Sequence, residues 1–259
     1  MKIVLIGAGN VATHLGTALK EAGYELIQVY SRTEQSASTL AHSLDIPYTT
    51  SVNEISTHAD MYLVAIKDAV LLNFIPLLTK GRTQSLFVHT AGSMPMDVWK
   101  PYVSRYGVLY PMQTFSKQHA VDFTTVPFFV EASNPDDLNQ LKLMGTRLGS
   151  NFYEASSEQR KYLHLAAVFA CNFSNHMYAL CAQLLEQQHI PFEVMLPLID
   201  ETARKVHELA PHQAQTGPAV RQDENVLQKH MELLLSMPDM QALYKEISKS
   251  IYNLKKEKE

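Results

Sequence analysis

Over the first 154 residues, short apolar runs alternate with stretches whose apolar positions recur every three or four residues. The runs KIVLIG, ELIQVY, PYTT, MYLVAI, SLFVHT, GVLYP, PFFVEA and NFYEA read as strands. VATHLGTALKEAG, AVLLNFIPLLTKG and DDLNQLKLMGTRLG read as helices closed by Gly23, Gly81 and Gly149, since glycine adopts the left-handed cap without steric penalty. Strands alternating with helices require crossovers, which predicts a mainly parallel sheet covered on both faces. Past Glu154 this alternation stops. Ser156 and Gln159 have the spacing of a capping box. The stripe Tyr162, Ala166, Phe169, Phe173, Met177, Leu180 and Leu184 that follows has the spacing of a buried helix face. Further helices are predicted at about 192–209, kinked or split by Pro197, at about 223–236, and from Pro238 to the tail. The pattern predicts an α/β domain over residues 1–154 and an all-α domain over residues 155–259.

Composition narrows the function classes. At 46% hydrophobic and 19% charged, the chain has the make-up of a soluble globular protein. A formal charge of −4 gives no basic field for nucleic acid and no polybasic membrane anchor. The helical half carries no basic stripe with interleaved aromatics. No apolar stretch approaches the ~18–20 residues of a membrane span, and the amino terminus lacks a signal-peptide pattern. Cys171 and Cys181 are too few for a disulfide framework or zinc site, and the 11 histidines show no paired ligand spacing. These features predict a cytoplasmic protein with no metal and no nucleic-acid or membrane partner.

The stretch IGAGNVA follows the first strand and opens the first helix. Gly7, Ala8, Gly9, Asn10, Val11 and Ala12 fit the dinucleotide fingerprint G-x-G-x-x-G/A. Gly7 permits the tight turn, Gly9 lets backbone approach a pyrophosphate, and Ala12 lets helix pack on strand. The helix amino terminus offers N–H groups and a positive dipole end to the phosphates. The α/β domain is therefore expected to be Rossmann-like. At the end of the second strand, where NAD readers place an acid, stand Ser31, Arg32 and Thr33. Hydroxyls and a guanidinium suit a 2′-phosphate, so NADP is the expected cofactor. Arg32 as a solvated turn residue is the plainer alternative.

IGAGNVA, YSRT, AIKD and HTAGS resemble the cofactor half of the superfamily containing pyrroline-5-carboxylate reductase and 6-phosphogluconate dehydrogenase. YPMQTF, YLHLAAVFACNFSNHM and TGPAVRQD resemble bacterial proteins provisionally assigned as NADP oxidoreductases, in which a Rossmann-like domain precedes a helical domain of undefined function. The resemblance implies a two-domain enzyme fold with substrate between cofactor and helices, and a homodimer formed through the helical domain. Tyr110 stands where histidine is expected before Pro-x-Gln, and Gln222 where glycine is usual before Asp223. The first removes a titrating group; the second alters the loop turn. Val168 occupies the position of the lysine that hydroxyacid dehydrogenases of the superfamily use, four residues before Asn172, which argues against that lysine mechanism.

Three segments offer chemistry. At strand ends lie Ile66 and Lys67, expected at the cofactor, with Asp68 positioned to cap the next helix, and His89 and Ser93 in HTAGS. His89 is either a proton donor or a histidine supporting its turn. On the long helix, His164, Asn172 and Asn175 share one face, which serves either a cleft or an interhelical hydrogen-bond network; Lys161 can join that face or reach solvent. In TGPAVRQD, Arg221 is a clamp for a carboxylate or phosphate, or else pairs with Asp223 or another subunit. The expected reaction is hydride transfer between NADPH and a small, anionic C=O or C=N substrate. His164 or His89 would give the proton, Asn172 would orient the reactants, and Ser93, Gln113, Asn175 and Arg221 would contact substrate. A non-catalytic NADP-binding regulator is the competing reading.

Overall fold

In the computed structural model, which describes residues 1–258, the eight apolar runs form one sheet. Its strands are β1 (Lys2–Ile6), β2 (Glu25–Tyr30), β3 (Tyr48–Thr49), β4 (Met61–Val64), β5 (Leu86–His89), β6 (Tyr106–Pro111), β7 (Phe128–Ala132) and β8 (Phe152–Glu154). The order is β3-β2-β1-β4-β5-β6-β7-β8, and every neighbouring pair is parallel except β6 and β7. The helices of this half are α1 (Asn10–Glu21), α2 (Glu34–Leu44), α3 (Asp68–Thr79) and α4 (Pro135–Arg147). Gly23, Gly81 and Gly149 all have positive φ just past α1, α3 and α4.

The two-residue period of a strand builds a core on each face of the sheet. Ile3 and Leu5 of β1 join Leu15 and Leu19 of α1 and Leu141 of α4; Val4 and Ile6 join Leu71, Ile75 and Leu78 of α3 and Trp99. Helix and strand pack closely at Gly16 of α1, where an added Cβ would lie 2.8 Å from a Leu5 methyl. Ala12, also buried on α1, is thus one of two small residues at that packing.

After β8 the described residues hold only helices: α5 (Ser157–Ala167), α6 (Ser174–Glu186), α7 (Leu196–Glu208), α8 (Pro211–Ala214), α9 (Pro218–Arg221), α10 (Glu224–Leu233) and α11 (Pro238–Lys258). The Ser156–Gln159 capping box forms with both hydrogen bonds. A π-helical segment, Val168–Phe173, joins α5 to α6. By compactness the chain divides into Met1–Asn172 and the residues from Phe173 on, so α5 belongs with the sheet. The strand alternation, by contrast, ends at 154. Pro197 lies in the first turn of α7, behind a 3-10 turn at Phe192–Met195. The stripe expected to be a buried face is instead half open: Tyr162, Phe169 and Phe173 are exposed. Further on, Met177, Leu180 and Leu184 border an apolar cavity of about 340 Å3 with Leu243 and Ile247 of α11. No described helix is long and apolar enough to cross a membrane.

Candidate functional site

The turn from β1 to α1 is built around a steric requirement at Gly7. Its φ of +111° lies in the left-handed region, and an added Cβ would sit 2.3 Å from the Ala65 carbonyl oxygen. The Gly7 N–H donates to the Tyr30 carbonyl oxygen at 2.7 Å, tying the turn to the end of β2. Gly9 is different: a Cβ there would meet nothing within 4 Å, so open space lies above it. As the N-cap of α1, Gly9 has no side chain with which to satisfy the first helical amides. Those donors are left to an external acceptor. A bound pyrophosphate fits this arrangement.

A cavity of about 290 Å3 opens beside this turn. Gly7, Ala8 and Gly9 border it from β1, Ser31, Arg32 and Thr33 from β2, and Ile66 and Lys67 from β4. Asn10 and Val11 are outside its lining; the Asn10 amide donates to the Phe115 carbonyl oxygen at 2.6 Å and so anchors a loop. Tyr30, Ser36, Ala65, Val70 and Phe74 complete the wall and escaped the sequence reading. Tyr30 and Phe74 stack at 5.2 Å between centroids, an apolar wall suited to a flat ring. The signal for Val70 and Phe74 was their four-residue spacing on α3. Glu34 in the first turn of α2 is outside the lining, and its carboxylate accepts from the Tyr48 hydroxyl. Arg32 and Lys67 are exposed. The groups beside the end of β2 thus suit an extra phosphate, as far as charge decides it.

Asp68 does not cap α3: Lys67 holds the N-cap position, without a side-chain bond, and the Asp68 carboxylate accepts from the Ser93 hydroxyl. That bond joins the AIKD and HTAGS turns. His89 is buried, and its Nδ1 accepts from the Ala91 N–H at 3.2 Å. Burial, helped by the Arg160 cation, pushes its pKa down to about 3. Near neutral pH the ring therefore carries a single proton and supports the turn after β5. Charging it is opposed further because the second proton would have to go on Nδ1, which already accepts from the Ala91 N–H.

His164 lies elsewhere in the same half. Its Nδ1 is 3.2 Å from the Tyr110 hydroxyl at the end of β6. Gly92 packs over the pair: an added Cβ would lie 2.8 Å from His164 Nδ1 and 2.9 Å from Tyr110 Cζ. One turn earlier on α5, Arg160 is fully buried and donates to Glu131 Oε2 at 2.7 Å and to the Met94 carbonyl oxygen. Ser157 Oγ donates to the same carboxylate at 2.7 Å and accepts from the Met96 N–H at 2.8 Å. Glu131 thereby clamps α5 against β7 and the loop after HTAGS. Tyr110, expected to remove a titrating group, has its pKa raised by burial, and its hydroxyl meets a histidine.

The π-helical segment changes the face expected for the polar stripe. At 3.6 residues per turn, eight residues leave Asn172 about 80° from His164. A π turn rotates less per residue, which reduces that angle. Asn172 is exposed at the end of this segment. Gln113 is exposed, and its Oε1 accepts from the Thr114 N–H at 2.8 Å. Asn175 and Arg221 belong to the second unit and are exposed. Gln222 adopts φ +51°, the left-handed conformation that accounts for a glycine preference there. Asp223 caps α10 by accepting from the Val226 N–H.

Residues 2–91 match the family described as NADP oxidoreductase, coenzyme F420-dependent, and residues 126–251 match a domain of unknown function, DUF2520. No curated protein matches the chain. Among solved structures, a Bacteroides fragilis protein, BF3122, provisionally named an NADP oxidoreductase, is 55% identical, with 97% of this chain and 98% of that one covered and a TM-score of 0.93. A 1-pyrroline-5-carboxylate reductase from Streptococcus pyogenes is 15% identical, with 98% of each chain covered and a TM-score of 0.66. An imine reductase from Myxococcus stipitatus, in complex with NADP+, is 14% identical, with 99% of this chain and 93% of that one covered and a TM-score of 0.67. At such identities the last two share the fold. The Rossmann-like sheet, its helical extension, the matched regions and the relative of 55% identity lead to one conclusion: the chain belongs to the NADP oxidoreductase family that joins a nucleotide-binding domain to a DUF2520 domain.

Proposed function

We propose that the protein transfers a hydride between NADPH and a small, anionic molecule carrying a C=O or C=N group, and that it works as a homodimer. The observation that carries the cofactor reading is the joining of Gly7, Gly9, Ser31, Arg32 and Thr33 around one cavity at the strand ends. In this reading the amides at the mouth of α1 hold the pyrophosphate, and Ser31, Arg32, Thr33 and Ser36 take the 2′-phosphate. Ile66 and Lys67 bound the cofactor on its other side. Bound NADPH supplies the hydride. His164 gives the proton to the oxygen or nitrogen that gains the electron pair, and Asn172 orients the reactants. The burial of His89 and its low pKa favour a role in the turn over proton transfer. Ser93, Gln113, Asn175 and Arg221 remain the groups offered to substrate; Arg221 forms no ion pair among the described residues and suits an anion.

Thermal stabilisation measured with NADPH and with NADH tests the reading. NADPH is expected to stabilise more, and Arg32→Ala to lose about tenfold in NADPH affinity with little change for NADH, one guanidinium–phosphate contact being worth ~1.5–3 kcal/mol. Equal response to both nucleotides would remove the 2′-phosphate assignment. With the preferred nucleotide bound, a panel of imines, keto acids, aldehydes and oxidised coenzyme F420 then tests turnover. NADPH binding with no oxidation across that panel would favour the regulator.

A further inference from the structure

We propose that Tyr110 is a positioning residue that holds His164 as the tautomer with its hydrogen on Nε2, and that Gly92 exists at its position to allow that contact. The proposal rests on the assignment of His164 as proton donor. Three observations carry it, each from a different motif. The Tyr110 hydroxyl lies 3.2 Å from Nδ1 and not from Nε2. Gly92 presses on the same edge, where even a methyl group would overlap both rings. His164 is nevertheless an exposed residue, so the edge left open is that of Nε2.

The direction of the Tyr110–His164 bond follows from the charge nearby. Arg160 is fully buried, stands one helical turn before His164, and is close enough to Tyr110 to act on its ionisation. Burial keeps the phenol protonated, outweighing that cation, so a hydroxyl hydrogen is present to be donated. A guanidinium attracts the hydroxyl oxygen and repels its hydrogen, turning the O–H towards His164. Tyr110 therefore donates, Nδ1 accepts, and the ring hydrogen is placed on Nε2.

The proton inventory closes without an outside acid during the step. The Nε2 hydrogen passes to the substrate heteroatom as the hydride reaches carbon, and the Tyr110 hydrogen follows to Nδ1. The imidazole stays neutral, with its hydrogen now on Nδ1, and the negative charge rests transiently on the Tyr110 oxygen, where burial disfavours it and the Arg160 cation offsets part of that cost. A proton from water then restores the hydroxyl and the starting tautomer returns.

Nitrogen-15 NMR of the histidine rings in the full chain, free of nucleotide, reads the tautomer directly, with His164→Gln identifying the signal. In its neutral form, the wild-type ring is expected to carry its hydrogen on Nε2. Tyr110→Phe is expected to raise the proportion of the Nδ1–H form about fivefold, the factor that one neutral hydrogen bond supports. A wild-type ring with its hydrogen on Nδ1 overturns the proposal without any variant. So does a folded Tyr110→Phe protein with an unchanged tautomer ratio. Because the measurement needs no substrate, a barren metabolite panel would remove the proposed reaction and leave this result standing.

Discussion

At the scale of a residue, His89 couples its own burial to the stability of the whole nucleotide-binding half. Its ring is 1% exposed, and its pKa falls to about 3, chiefly through desolvation. In the unfolded chain the same ring titrates near pH ~6.5. Between these values the unfolded state binds a proton that the folded state refuses, so stability declines as pH falls through that window. At pH 4.5 the loss from this one group should be ~2–3 kcal/mol. Denaturant unfolding at pH 7.5 and 4.5, compared with His89→Asn, measures it. The asparagine oxygen can accept the Ala91 bond but binds no proton, so the variant should lose less stability on acidification. Identical losses would show that His89 is more solvated than its burial implies. Burial of this kind is not written in HTAGS, where a strand-end histidine and a proton donor look alike.

At the scale of an element, Gly145 of α4 shows how a helix can depend on the absence of a side chain. An added Cβ would lie 1.5 Å from the Phe152 ring, which itself stacks on Phe128 at 5.0 Å. Gly145→Ala gains ~1 kcal/mol of helix propensity, yet overpacking typically costs ~1–3 kcal/mol and here requires the ring to leave its stack. The variant is therefore expected to be destabilised by ~1–2 kcal/mol, read as a lower denaturation midpoint; a rise would mean that β8 yields freely. All eight strands were legible because each is an apolar run with polar flanks. The direction of β7 was open to reading as well: no helical stretch separates GVLYP from PFFVEA, and a pair joined without a crossover helix can run antiparallel. The π-helical segment was not legible, since VFACNF carries no composition that separates it from an α-helix. The cavity-lining residues fell together because ends of adjacent parallel strands meet at one edge. Tyr110 and His164, 54 residues apart, meet only through the sheet order and the Glu131 clamp.

At the scale of the molecule, the second unit exposes several large apolar side chains. Leu198 and Val206 are exposed on α7 and Leu209 just past its end, and Leu233 and Leu235 are 75% and 73% exposed. The proposed homodimer accounts for this surface. Sedimentation at micromolar concentration should show a dimer, and Leu198→Asp with Val206→Asp should shift it towards monomer; a wild-type monomer would refute the assembly. The helical period of this region was visible, but whether a stripe meets its own chain or another is not encoded in its spacing. The Glu131–Arg160 pair has a consequence for how such proteins can be recombined. The region matching DUF2520 begins at residue 126 and so carries β7 and β8 along with the helices. A chimaera spliced after residue 154 would draw the carboxylate from one parent and the guanidinium from the other, whereas a junction near residue 126 takes both ions from the same donor. The transplantable cassette is thus a piece of sheet with its helices attached.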